Sequence, residues 1–420
     1  MSTVEEYATP APDADRGGFL RVLVATGVIG IAGYVITWLV PWTIGAAAYS
    51  TFAVFWSFTF LLAAGLSGIQ QEITRATHVI EQPVAPPATE LSQVTRFAVV
   101  ATVIVAVVLL VSAPFWGSLV FPDLGLALVW PLVVGACSYV LLAVLTGTLY
   151  GVSHWTALFW AILVEGVLRL ALIAIVLFFT HDVVALAWAV AAPFPTTFVI
   201  IWLVYRRRLA GRTRLDVGYR ALTWNVARTI LAAISMGMLV SGFPLLLEIT
   251  TPASGGAALG VLILLTVLVR APLIVVGMAL QSYFVVLFRN SADRFWATVL
   301  RLELLVLVAG IVVTALGWWL GPAVFAFLFP QEAVPSATLI AALAASSALL
   351  GGLCVMAPAT LARSHHTLFT VGWVLAAVVT IAVLLLPLDL ETRAVASLIG
   401  GPAAGLLVQS VGLPLAERRR

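Results

Sequence analysis

The 420-residue chain has no lysine, only two cysteines and few charges of any kind, 9% of its residues. Soluble domains carry about 25% charged residues, so that class is excluded. Cys137 and Cys354 both sit inside apolar runs with no metal-ligand spacing around them. They read as small buried hydrophobes, not as a disulfide framework. There is no phosphate-binding glycine loop, no metal motif and no nucleophile with a base at usable spacing. These absences argue against an enzyme, a cofactor, a bound metal and ATP-driven work. No connection is long enough to hold a soluble domain.

What is present is apolar. The chain is 62% hydrophobic, with a mean hydropathy of +1.14. Its hydrophobic runs approach or exceed 20 residues without alternating polarity, so they are helices and not barrel strands. The expected fold class is all-α integral membrane, with twelve transmembrane helices in two pseudo-symmetric six-helix lobes around a central cavity. The spans fall near 20–42, 48–72, 95–120, 124–150, 155–180, 183–205, 222–248, 256–288, 295–320, 335–361, 366–387 and 393–415. The expected division is a disordered tail at 1–18, an N-terminal lobe at 19–205, a basic linker at 206–221, a C-terminal lobe at 222–415 and a basic tail at 416–420.

All 21 basic residues are arginine, and 17 of them fall on the side of the N-terminus. By the positive-inside rule both termini are cytoplasmic. The arginines form no surface separate from the membrane flanks, so nucleic acid is not an expected partner. The six-plus-six division rests on repeated wording. Pro114–Pro122 and Pro322–Pro330 share Pro-x7-Pro with Phe before the second proline. Ser153-His154 is repeated at Ser364-His365, and Gly135-Ala-Cys137 at Gly352-Leu-Cys354. An even number of spans per half gives both halves one orientation, and a transporter site is then expected between them near the midplane.

The leading candidate residue is Arg270, mid-span in the eighth helix beside Pro272, with no acid among its in-chain helical neighbours. A guanidinium at that depth costs about 2.5–3.5 kcal/mol on insertion scales. It needs a partner on another helix or a wet cavity where an anion arrives. Arg75, Arg228, Arg270 and Gln281 define a candidate polar track from cytoplasm to midplane. Gln70 and Gln71 face either a cavity mouth or a neighbouring helix, Asn225 lies at the cytoplasmic entry of the seventh span, and Tyr34 is a conspicuous polar group of the first span. Glu165 and Arg169 are four apart on one helix face and can neutralise each other; alternatively Glu165 titrates and couples transport to protons. Glu72, three residues from Arg75, is a further coupling candidate.

Tyr49–Ser57 and Ala64–Arg75 resemble the polysaccharide or oligosaccharide-lipid flippases of the multidrug/oligosaccharidyl-lipid/polysaccharide exporter (MOP) superfamily. Val269–Leu273 with Ala279–Gln281 is similar to that family's eighth span, Glu165–Arg169 to its fifth and Gly400–Gly405 to its last. The resemblance implies a V-shaped pair of lobes working by alternating access in the bacterial cytoplasmic membrane. It implies a polyprenyl-pyrophosphate-linked glycan as substrate, with Arg270 and Arg75 contacting the pyrophosphate. Glycosyltransferases or a polymerase of the same pathway are the implied partners, besides membrane lipids. The first span lacks the mid-membrane arginine of the lipid II flippase branch. Three rivals remain: a drug/cation antiporter of the same superfamily, which needs acidic cavity residues; a membrane glycosyltransferase, glycan polymerase or ligase, which needs larger outer loops; and a non-transporting membrane scaffold, against which the deep polar residues and the repeat weigh.

Overall fold

The computed structural model describes residues 12–79, 93–122, 124–209, 213–215, 218–251, 258–270 and 294–418, with Leu280, Phe284, Leu287 and Phe288. The fold is all-α apart from one two-stranded ribbon. Ten described helices are long and apolar enough to cross a membrane, and the first of them is long enough to cross twice.

Helix α1 (Pro12–Ala76) carries the first two spans. It folds back at Gly45, whose φ of +77° is open to glycine and strained for other residues. Pro41, one turn earlier, weakens the ladder at the same place. Because α1 starts at Pro12, helix already occupies part of the segment expected as a tail. Helices α2 (Gln93–Val120), α3 (Gly125–Gly151) and α4 (Trp155–Phe179) follow.

Two spans expected as continuous helices are each broken. The sixth is split into α5 (Val183–Ala191) and α6 (Pro193–Leu209), because Pro193 and Pro195 supply no N–H to the ladder. The seventh is split into α7 (Tyr219–Val240) and α8 (Phe243–Thr250) at Ser241-Gly242, with Pro244 opening the second piece. Part of the expected basic linker is ordered. Thr213–Leu215 pairs antiparallel with Thr77–Val79 at the end of α1, so the segment between the halves is tied to the second span. Helix α9 (Ala258–Arg270) is the described part of the eighth span. Then come α10 (Phe295–Leu328), α11 (Ala337–Ala362), α12 (His366–Leu384) and α13 (Leu390–Glu417).

The sequence repeat has a structural counterpart. Helices α3 and α11 are the most buried of the long helices, one in each lobe. Both end in the same chain reversal. His154 N–H donates to Leu149 O and Ser153 N–H to Tyr150 O; His365 N–H donates to Thr360 O and Ser364 N–H to Leu361 O. Ser153 (φ +54°) and Ser364 (φ +61°) take the left-handed position usually given to glycine in this helix ending. Within the first lobe α1 packs on α3 and α4, and α2 on α3. Within the second α10 packs on α11, and α13 on α11 and α12.

The lobes meet chiefly where α1 runs along α7. Gly68 makes this close approach possible, since a Cβ there would come within 2.8 Å of the Ile230 backbone nitrogen. Lipid gives no hydrophobic drive between helices, so such small-residue packing is what holds them together. The largest core cluster contains residues of both lobes, among them Phe55, Phe121, Phe243, Leu262 and Phe325.

Candidate functional site

Between the lobes, on the arginine-rich side, lies a cavity of about 880 Å³. The end of α1 gives it Gln71, Glu72 and Arg75, and α7 gives it Asn225, Thr229 and Met236. Its remaining wall comes from the ends of α11 and α12, with His366 among the lining residues. Glu72 is buried and bound from two sides. Arg75 Nη2 lies 2.6 Å from its Oε1 and Arg75 Nε 3.0 Å from its Oε2. Asn225 Nδ2 donates to Oε1 across the lobe boundary at 2.8 Å. The carboxylate is therefore committed to a guanidinium and an amide. Arg75 itself is half-exposed at the cavity edge.

Arg270 lies deeper and does not line this cavity. Its side chain is 2% exposed. Its guanidinium sits 5.7 Å from the centre of the Phe243 ring, and Nη2 donates to Leu239 O at 3.4 Å. The acceptor exists because α7 stops at Val240, leaving its last carbonyls without intrahelical donors. The negative end of a helix dipole also favours a cation there. No carboxylate pairs with Arg270 among the described residues, and its Nε has no hydrogen-bond partner. Leu239, whose carbonyl holds Arg270, is three residues beyond Met236, the last α7 residue along the chain to line the cavity.

The same device recurs in the first lobe. Arg169 donates through Nη2 to Glu165 Oε1 at 2.8 Å and through Nε to Val190 O at 3.4 Å, beside the break between α5 and α6. Phe60 and Phe194 flank its guanidinium, with ring centres at 5.1 and 4.8 Å. Arg169 is buried and Glu165 partly so.

The other expected residues separate. Gln71 lines the cavity, whereas Gln70 does not; its carbonyl takes the Thr74 hydroxyl and lies close to Gly147 of α3. Tyr34 is 40% exposed on α1 and is not among the cavity's lining residues. Gln281 and the side chain of Arg228 lie outside the described residues. Of the expected track Arg75, Arg228, Arg270 and Gln281, the described side chains are Arg75, which lines the cavity, and Arg270, which does not.

Two bridging residues were not among the candidate site residues. Ser57 Oγ donates to Ser241 O at 2.6 Å and accepts from Leu245 N–H, so it bridges the α7–α8 break from the first lobe. Glu332, between α10 and α11, accepts the Ala46 N–H through Oε1 at 2.8 Å, just past Gly45. It links the second lobe to the turn between the first two spans, on the side opposite the arginines. Gly260 of α9 packs against Ala46 O at the same place. The lobes are thus also joined on the arginine-poor side, opposite the cavity where Asn225 reaches Glu72. Ser57 lay in plain view in the Phe-Trp-Ser run, and Ser241-Gly242-Phe-Pro marked the break it bridges. Nothing in the sequence ties Glu332 to Ala46, which is 286 residues away.

The helix arrangement matches solved transporters over nearly the whole chain. An inward-facing multidrug resistance MATE family transporter of the MOP superfamily superposes with a TM-score of 0.60 at 18% identity, covering 94% of each chain. A lipid II flippase, MurJ, in an inward closed conformation superposes with a TM-score of 0.70 at 11% identity, covering 94% of this chain and 87% of the other. This chain has the MOP-transporter fold. No protein-family model matches it. Two proteins of Mycobacterium tuberculosis (strain ATCC 25618 / H37Rv) are each 29% identical to it. Uncharacterized protein Rv3630 aligns over 398 residues, 94% of this chain and 92% of the relative. Uncharacterized protein Rv1510 aligns over 415 residues, 98% and 95%.

Proposed function

We propose that this MOP-fold protein is an alternating-access transporter that moves a polyprenyl-pyrophosphate-linked oligosaccharide or polysaccharide precursor across the bilayer. The observation that carries this reading is the chemistry of the interlobe cavity. Its polar wall presents a guanidinium, amides, threonine hydroxyls and an imidazole. The carboxylate among its lining residues, Glu72, is already bound by Arg75 and Asn225. Arg75 and Glu72 offset each other, so the wall offers hydrogen-bond donors without a free carboxylate, which suits an anionic head group. A cationic drug would lack a free counter-charge there.

The diphosphate would first meet Arg75 at the cavity edge. Arg270 then supplies a second positive charge, held in reserve by the Leu239 carbonyl. Rearrangement at the α7–α8 break would release that guanidinium to the phosphate, a stronger acceptor than a neutral carbonyl. The lipid tail stays in the bilayer throughout, and no cofactor takes part.

The second reading, a drug or cation antiporter, is favoured by the likeness to a multidrug transporter fold and by Glu165, a carboxylate within the first lobe. One experiment separates the two. The purified protein is reconstituted into vesicles with a fluorescent polyprenyl-pyrophosphate oligosaccharide, and inward-to-outward movement is read as loss of fluorescence to a membrane-impermeant quencher. Flippase activity predicts protein-dependent movement that Arg270→Ala abolishes. Ethidium efflux in the same vesicles without lipid movement would instead establish the antiporter.

A further inference from the structure

A second cavity lies away from the interlobe site, on the flank of the second lobe. It holds about 710 Å³ between α10, α11 and α13. Its floor exists because α11 carries mostly small residues on that face, Ala341, Ala345, Ala348 and Gly352, about one turn apart, with Leu349 beside them. Trp318 stands toward the far end. At the near end is Glu303, whose Oε2 lies against Gly352, where a Cβ would come within 2.9 Å of it. Its Oε1 is buried and has no hydrogen-bond partner. Gly352 is about ten residues, roughly 15 Å, from the end of α11. Glu303 itself is eight residues into α10 and two past the exposed Arg301, so the carboxylate stands at the arginine-rich end of the groove. The adjoining α10 surface is Leu304, Leu305, Leu307 and Val308, all exposed, so the groove opens toward lipid.

We infer that this groove is a bilayer-accessible binding site for an amphipathic organic cation, a protonated amine on an apolar chain, with Glu303 as its counter-charge. The charge excludes anions. The walls exclude metal ions, which need several oxygen ligands; besides Glu303, the lining residues offer one polar side chain, Thr314. An alkyl ammonium satisfies both ends of the site. Its tail fills the space beside the small residues of α11, and its N–H groups reach the unpartnered oxygen. A buried carboxylate oxygen without a partner is costly, and a cation entering the groove removes that cost. The inference does not depend on what the interlobe cavity transports.

The test uses the full chain in lipid nanodiscs with two photoactivatable probes of equal length, a diazirine-bearing dodecylammonium and the matching dodecanol. Labelled peptides are mapped by mass spectrometry. The ammonium should label α10 and α11 around the groove at least ten-fold more than the alcohol. Glu303→Gln should bring it down to the alcohol's level, and Glu303→Asp should keep most of the preference. Equal labelling by both probes, or an ammonium preference that survives in Glu303→Gln, would overturn the inference. If Glu303→Gln does not fold, Ala345→Phe, which fills the groove and keeps the carboxylate, must abolish labelling by both probes; persistence at the same peptides overturns it equally.

Discussion

The deep arginines are held by helix ends more than by acids. Arg270 has a single carbonyl from the break in the seventh span, whereas Arg169 has both a carbonyl and Glu165. The two should therefore respond differently to truncation. Arg169→Leu leaves a partly buried carboxylate unpaired and should destabilise the first lobe by about 3 kcal/mol, the scale for breaking a buried pair, read as a lowered thermal midpoint in detergent. Arg270→Ala should leave that midpoint within a few degrees while ending transport of the labelled lipid. Arg270→Lys keeps the charge without the planar fork. It should retain activity only if the phosphate needs a point charge. At the membrane surface, Asp389 accepts the Thr392 N–H at 2.9 Å, which holds its carboxyl below its ordinary value. A depressed carboxyl stabilises the fold above its unfolded-state value and loses that contribution as pH falls through the folded one. Protection of the first turn of α13 in hydrogen exchange should decline in acid, and Asp389→Asn should keep the cap but lose the pH dependence.

At the scale of elements, function is placed by broken and closely packed helices. The contact of α1 with α7 leaves no room for a side chain at Gly68. Gly68→Val would press on the Ile230 backbone, which cannot rotate aside as a side chain can. A loss of about 1–3 kcal/mol is expected, visible as a lower unfolding temperature together with lost transport. The bond from Ala46 N–H to Glu332 joins the lobes on the arginine-poor side. A hydrogen bond to a charged group contributes about 1.5–3 kcal/mol, so Glu332→Ala should shift the population toward opening on that side by roughly ten-fold or more. Spin labels at the exposed positions Trp42 and Val334 should then report a longer distance. An unchanged distance distribution would mean that Glu332 is not a latch. The breaks themselves were legible after the fact. Pro193, Pro195 and Ser241-Gly242-Phe-Pro are ordinary interruption signals, but within uniformly apolar runs a hydropathy reading passes over them.

For the whole molecule, the sequence by itself determined the class, the number of spans and the internal repeat. Backbone groups in lipid must be satisfied within a helix, so run length alone sets the spans, and the shared Ser-His reversals carried the repeat into three dimensions. It also determined which residues are chemically unusual, since an arginine in hydrocarbon stands out wherever it lies. Only the tertiary structure decided their company. It put Gln71 on the cavity and Gln70 on α3, set Arg270 off the cavity at a helix end, gave Glu72 a partner from the other lobe, and left Glu303 in its groove without one. The reason is physical: in a chain this apolar every face of a helix reads alike, so periodicity does not reveal which face meets the other lobe. That choice is made by small residues such as Gly68 and Gly352, through contacts with residues far away in the chain.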